Sequence, residues 1–212
     1  MKKKFVIACM FVSVLASAQY RNRDSNMIGI IAGMDQFDLN TSNFTTKAGN
    51  GYHFGASIRG NFYNDFDMVF AFQYGEKQFS VPTHTLALQQ KEVDYKIPGV
   101  EVSLMLSYKI VENHLSVEVG PVLSVTDKFH IKKDDALNTI DGTNLTAGQI
   151  TNVGKFNFYP AVGVTAGIRN LRANLQYQYG LTNALGGLDE NTLGMKLKAH
   201  PSILSLNLLI YF

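Results

Sequence analysis

The chain has 212 residues, of which 46% are apolar and 17% charged, with one Cys, no Trp and a formal charge of +2. That size and composition suit one folded domain and exclude a disordered chain. The longest apolar run covers roughly 12 residues near the N-terminus, short of the ~20 that a transmembrane helix needs.

The chain opens with Lys2-Lys3-Lys4, an apolar stretch from Phe5 to Ala16, and Ala16-Ser17-Ala18 before Gln19. This order of charge, apolar core and small residues reads as a secretory signal peptide over 1–18, cleaved before Gln19. Val6-Ile7-Ala8-Cys9 loosely matches a lipid-attachment box, but the apolar core before Cys9 is short and continues well past it. Cleavage leaves 194 residues with 16 basic and 17 acidic side chains, a formal charge of -1 that excludes a nucleic-acid partner. It also removes Cys9, so the mature domain over 19–212 has neither disulfide nor thiol chemistry. A closed hydrogen-bonded barrel would supply the stability instead.

The body alternates with period two rather than 3.6, which predicts strands at about 27–35, 51–62, 66–79, 93–110, 115–129, 155–168, 171–182 and 202–212. In the seventh, Leu171, Ala173, Leu175, Tyr177, Tyr179 and Leu181 share one face, while Arg172, Asn174, Gln176 and Gln178 share the other. In the fourth, apolar residues are odd through Val93, Tyr95 and Ile97, then even through Val100, Val102, Leu104 and Leu106. That phase change predicts a β-bulge at Pro98-Gly99.

The connections alternate long and short: 36–50, 63–65, 80–92, 111–114, 130–154, 169–170 and 183–201. Such wiring predicts an all-β fold, an eight-stranded antiparallel up-and-down transmembrane β-barrel. Short turns and both termini would face the periplasm and long loops the exterior, which makes this an integral outer-membrane protein.

The polar phase carries too many charges for a soluble core, whereas a lipid-facing charge costs roughly 2 to 4 kcal/mol at the bilayer midplane. Arg59, Asp67, Lys77, Glu101, Lys109, Glu118 and Arg172 are therefore expected inside. Of these, Arg59, Asp67, Glu101, Lys109, Glu118 and Arg172, together with Gln176, form the predicted structural network of the lumen. Apolar-phase aromatics would make two belts, with Phe62, Phe66, Tyr108 and Phe212 at the periplasmic ends. Tyr52, Phe54, Tyr74, Phe156, Phe158, Tyr177 and Tyr179 would lie toward the outer ends. The last strand puts Leu204, Leu206, Leu208, Ile210 and the terminal Phe212 on one face, which looks like the signal read by the barrel-assembly machinery.

These residues resemble the PorT-like outer-membrane β-barrel family of Gram-negative bacteria. The likeness rests on Gly51-Tyr52-His53-Phe54-Gly55, Val93-Asp94-Tyr95-Lys96-Ile97-Pro98, Val119-Gly120-Pro121, Tyr179-Gly180-Leu181-Thr182-Asn183 and the Tyr211-Phe212 terminus. Gly99-Val100-Glu101 departs from the aliphatic run that usually follows the proline. The resemblance implies an outer-membrane location, and the family's namesake is associated with a secretion and gliding apparatus.

The five histidines, at 53, 84, 114, 130 and 200, have no metal-ligand spacing, and neither a catalytic site nor a cofactor is expected. His84, His130 and His200 lie in or beside outer loops and could converge. A lumen of eight strands is filled by side chains, so a diffusion pore is not expected. Function then falls to the loops, with 130–154 the longest and expected to be solvated and mobile or to recognise a partner. The expected role is a non-enzymatic barrel that anchors or presents loops to a surface or secretion-related envelope partner. Two alternatives stay open: an outer-membrane lipid-modifying enzyme and a soluble secreted barrel with an apolar ligand.

Overall fold

The computed structural model describes residues 26–151, 153–188 and 197–212. The expected signal peptide at 1–18 and its cleavage point lie outside these residues, as does part of the last long connection.

Among the described residues, nine strands follow in chain order. They are β1 (Met27–Thr41), β2 (Lys47–Tyr63), β3 (Phe66–His84), β4 (Gln90–Val111), β5 (Leu115–Thr126), β6 (Thr139–Ile140), β7 (Phe156–Gly167), β8 (Leu171–Tyr179) and β9 (Ala199–Tyr211). All but the two-residue β6 pair with their neighbours in antiparallel order, and β9 pairs back onto β1, with Ile30 opposite Ile210 and Gln36 opposite Leu204. The ring of eight long strands is thereby closed, and closure satisfies the edges that an open sheet would leave bare. Tight turns close one end, where Asn64 and Asn113 take left-handed backbone angles that asparagine tolerates well.

The two faces have different chemistry because the strands cross two surroundings. On β3, Phe66, Met68, Phe70, Phe72 and Tyr74 point outward, and above them Glu76, Gln78, Ser80, Pro82 and His84 hold the same phase. The apolar part covers roughly 26 Å along the strand and about 20 Å of height at a tilt near 40°. The same boundary passes around the ring through register partners: Met34 opposite Tyr52, Phe54 opposite Tyr74, Tyr74 opposite Val100, Val100 opposite Val125, and Val125 opposite Phe156. Outward side chains in this belt are exposed, among them Ile30, Met34, Phe72, Val119, Val162 and Leu206. A contiguous apolar band of this size is untenable in water and suited to lipid.

The strands run past the belt. β1 reaches Thr41 where alternation predicts an end near 35, and β3 reaches His84 where it predicts one near 79. The expected bulge at Pro98-Gly99 is absent. β3 and β4 keep one register from Phe66 opposite Tyr108 to His84 opposite Gln90, and β4 and β5 are in step on either side of Glu101. Odd residues of β4 stay inward throughout, from Val93 and Tyr95 to Glu101 and Ser103. The surroundings change instead: beside lipid the outside is apolar and the inside polar, and above the lipid the outside meets water and the inside becomes a core.

That core is completed by segment 127–151, which folds back over the long-loop mouth. Phe129, Ile140, Leu145, Ala147 and Ile150 are buried there with Leu39, Phe79, Val81, Val93 and Tyr95 from the strands. Phe79 stacks on Tyr95 with ring centroids 4.9 Å apart, and Phe129 meets Phe79 edge-on at 5.2 Å. The expectation of a solvated, mobile 130–154 loop is therefore corrected: its apolar residues form a plug, and β6 ties the plug to the end of β3.

Candidate functional site

The inward polar residues gather into two groups within the belt. At the short-turn end, Arg59 is 1% exposed. Its Nη1 donates to Asp67 Oδ2 at 3.1 Å and to Ser107 Oγ at 2.9 Å, and its Nη2 pairs with Glu118. Lys109 lies 3.3 Å from the other Asp67 oxygen. Arg172 is nearby and buried, with Nη2 3.4 Å from Asn113 Oδ1. Gln176 is buried on the inward face of β8. Higher in the lumen, Lys77 and Glu101 pair at 2.5 Å.

Between these groups runs a chain of hydrogen bonds that the sequence did not single out. Glu118 Oε2 accepts from Asn174 Nδ2 at 3.1 Å, and Asn174 Oδ1 accepts from Asn207 Nδ2 at 2.8 Å. Asn207 Oδ1 faces His53 Nε2 at 2.6 Å, His53 Nδ1 faces Asp35 Oδ2 at 2.9 Å, and Ser205 Oγ donates to Asp35 Oδ1 at 2.5 Å. The carboxylate at one end fixes the orientations along the row. An ionised Glu118 only accepts, so Asn174 presents its NH2 to Glu118 and its oxygen to Asn207, which in turn presents its own oxygen to His53. Both ring nitrogens of His53 are thereby occupied, one by Asp35 and the other by Asn207. Gly33 makes room for it, since a Cβ there would collide with the His53 ring and with the Asn207 side chain. The signal in the sequence was phase: Asp35, His53, Asn174, Ser205 and Asn207 all lie on the inward side of their strands.

The row contains a serine, a histidine and an aspartate but cannot work as a hydrolytic triad. Ser205 bonds the aspartate rather than the histidine, the remaining histidine nitrogen is taken by Asn207, and all three face the lumen with 6% exposure or less. The outer histidines do not converge. His84 pairs with Asp141, His130 with Asp127 at 3.1 Å, and His200 stacks on Tyr179. Among the described residues no three His, Cys, Asp or Glu side chains form a metal-binding group. A small cavity of about 20 Å³ lies between the polar lumen and the plug, bordered by His53, Lys77, Glu101, Phe129 and Tyr159. It has room for about one water molecule.

The C-terminal residues Leu204, Leu206, Leu208, Ile210 and Phe212 all face outward from β9 within the belt. Tyr211 faces inward, its hydroxyl 3.0 Å from Ser57 Oγ.

No family model and no curated protein matches the chain. Solved structures do. Neisserial surface protein A is similar with a TM-score of 0.53 at 12% identity, over 89% of this chain and all of that one. Ail, the attachment invasion locus protein of Yersinia pestis, covers 89% of this chain and 99% of its own at 13% identity and a TM-score of 0.47. The translocator domain of the autotransporter NalP from Neisseria meningitidis reaches 0.32 at 11% identity, over 97% of this chain and 95% of that one. The first of these likenesses establishes the fold. The chain is an eight-stranded antiparallel barrel of the kind found in bacterial outer membranes.

Proposed function

We propose that this chain is a non-enzymatic integral protein of the outer membrane that presents a rigid extracellular cap to a partner at the cell surface or in a secretion-related envelope complex. The observation that carries the proposal is the unbroken apolar belt around a lumen filled with paired charges, topped by a folded plug. The belt fits a bilayer, the filled lumen suits an anchor better than a channel, and the ordered plug holds the outer surface in one shape. On this reading residues 1–18 are a cleaved signal peptide, and residues 19–212 insert with the short turns in the periplasm. Membrane lipid surrounds the belt, and the assembly machinery reads Leu204, Leu206, Leu208, Ile210 and Phe212. The lumen residues Arg59, Asp67, Glu101, Lys109, Glu118, Arg172 and Gln176 act as structural filling. The finer placement among PorT-like barrels rests on the sequence resemblance alone.

Orientation and exposure are tested together with single cysteines, since the mature chain has none. A membrane-impermeant maleimide added to intact cells should label Lys133→Cys at once and Glu112→Cys only after lysis. The reverse pattern, or labelling of neither before lysis, contradicts the proposal.

A further inference from the structure

Among the described residues Arg172 is the one lumen arginine or lysine without a carboxylate. It is 4% exposed, its Nη2 lies 3.4 Å from Asn113 Oδ1 in the β4–β5 turn, and its Nε has no partner. The carboxylates nearby are taken, Asp67 by Arg59 and Lys109, and Glu118 by Arg59. Higher up, Glu101 faces Lys77 and Asp35 faces His53. The short-turn end of the lumen therefore holds three cations, Arg59, Lys109 and Arg172, against two carboxylates. Asp65 and Glu112, the acidic residues of the adjoining turns, are exposed and pair with none of the three. Two more buried donors lack partners there, Arg59 Nε and Ser116 Oγ, and both residues are 1% exposed. Their places converge. Arg59 crosses to Ser107 and Glu118, which face one another on β4 and β5. Ser116 is the next inward residue of β5 toward the turn, and Arg172 reaches that turn at Asn113. The two guanidinium groups thus end on either side of Ser116, with Lys109 opposite it on β4.

We propose that a small inorganic anion of chloride size binds between Arg172, Ser116 and Arg59 and supplies the third negative charge of this cluster. Arginine nitrogens only donate hydrogen bonds and a serine hydroxyl can, so the three unpartnered atoms call for an acceptor. Water would meet the hydrogen bonds alone. A buried guanidinium without a counter-charge is costly, and an anion offsets that cost as water does not. The burial of all three side chains suits a monatomic ion better than phosphate or the carboxylate of a partner protein, either of which needs an open mouth. Such a site requires the closed barrel but not the anchoring role proposed above, and it is the same whichever side of the membrane the short turns meet.

The test is urea unfolding of the full mature chain in phospholipid vesicles, with chloride exchanged for gluconate at constant ionic strength. Gluconate is too large for the site. Raising chloride from about 1 to about 100 mM should increase the ratio of folded to unfolded chain at least roughly tenfold. Ser116→Asp sets a carboxylate between the two guanidinium groups, so it should match the parent's stability in chloride and no longer respond to the ion. Arg172→Gln should also lose the response, while unheated gel mobility confirms that each variant closes its barrel. A parent chain indifferent to chloride, or a response that survives in either variant, overturns the proposal. So does a response that appears only after Asp24→Asn, which would give the site to a carboxylate of the chain's own N-terminal segment. If neither lumen variant folds, bromide soaked into crystals of the parent chain decides: an anomalous peak between Arg59, Ser116 and Arg172 is expected, and its absence overturns the site.

Discussion

Tyr74 and Glu76 point to the same side of β3 one pleat apart, and the outer edge of the apolar belt passes between them. Below this line an outward side chain meets lipid, and above it water. The same substitution should therefore have different costs on its two sides. Phe72→Lys, inside the belt, should destabilise the barrel by about 2 to 4 kcal/mol. Gln78→Lys, on the same face above the line, should change stability by no more than about 0.5 kcal/mol. Urea unfolding of the chain in phospholipid vesicles measures both, and equal costs would place the boundary elsewhere.

Arg59 holds two buried carboxylates, Asp67 and Glu118. Arg59→Leu leaves Glu118 without its cation and Asp67 with Lys109 alone, and should cost about 3 to 5 kcal/mol. Replacing Glu118 by Gln in that background should return part of the loss, because one uncompensated charge is removed. A double-mutant cycle reads the coupling, and additive losses would show that the two side chains do not share one network.

The plug should be separable from the barrel. Phe79→Ala removes a ring stacked on Tyr95 and edge-packed on Phe129, and should cost about 3 to 5 kcal/mol locally. Trypsin should then cut at Lys132 or Lys133 in the folded protein, while the parent chain resists under the same conditions. Tyr95→Phe, which loses only the bond to the Ala147 carbonyl, should cost about 1 kcal/mol and leave the plug closed.

Phe212 lies on the lipid face and its ring fills no cavity in the lumen. Phe212→Ala should lower the amount of protein reaching the outer membrane several-fold while changing vesicle unfolding by less than about 1 kcal/mol. A matched loss of stability would mean that the residue holds the barrel together rather than serving its assembly.

Much of this architecture is legible as period-two alternation. Arg172, Asn174 and Gln176 against Leu171, Ala173 and Leu175 identify both faces of β8 without any structure. Phase alone misleads where surroundings change along one strand. Val93, Tyr95 and Ile97 look out of step with Val100 and Val102, although the odd residues of β4 from Val93 to Ser107 point inward. The His53 row was hidden for a different reason. Asp35, His53, Asn174 and Asn207 are inward by phase, but their meeting depends on the relative heights of β1, β2, β8 and β9, which follow from register around the closed ring. The plug gave no periodic signal, because Phe129, Ile140, Leu145 and Ile150 are spaced by turns rather than by a regular element.

The central claim is a closed barrel seated in the outer membrane, and gel mobility tests it most directly. Outer-membrane fractions are run in SDS unheated and after boiling. The account predicts a faster unheated band that shifts to the position of the unfolded chain on boiling, because a closed ring of eight strands resists SDS until heated. Recovery of the protein in the soluble fraction, with no shift on boiling, would contradict it and make the outward apolar face an error of orientation.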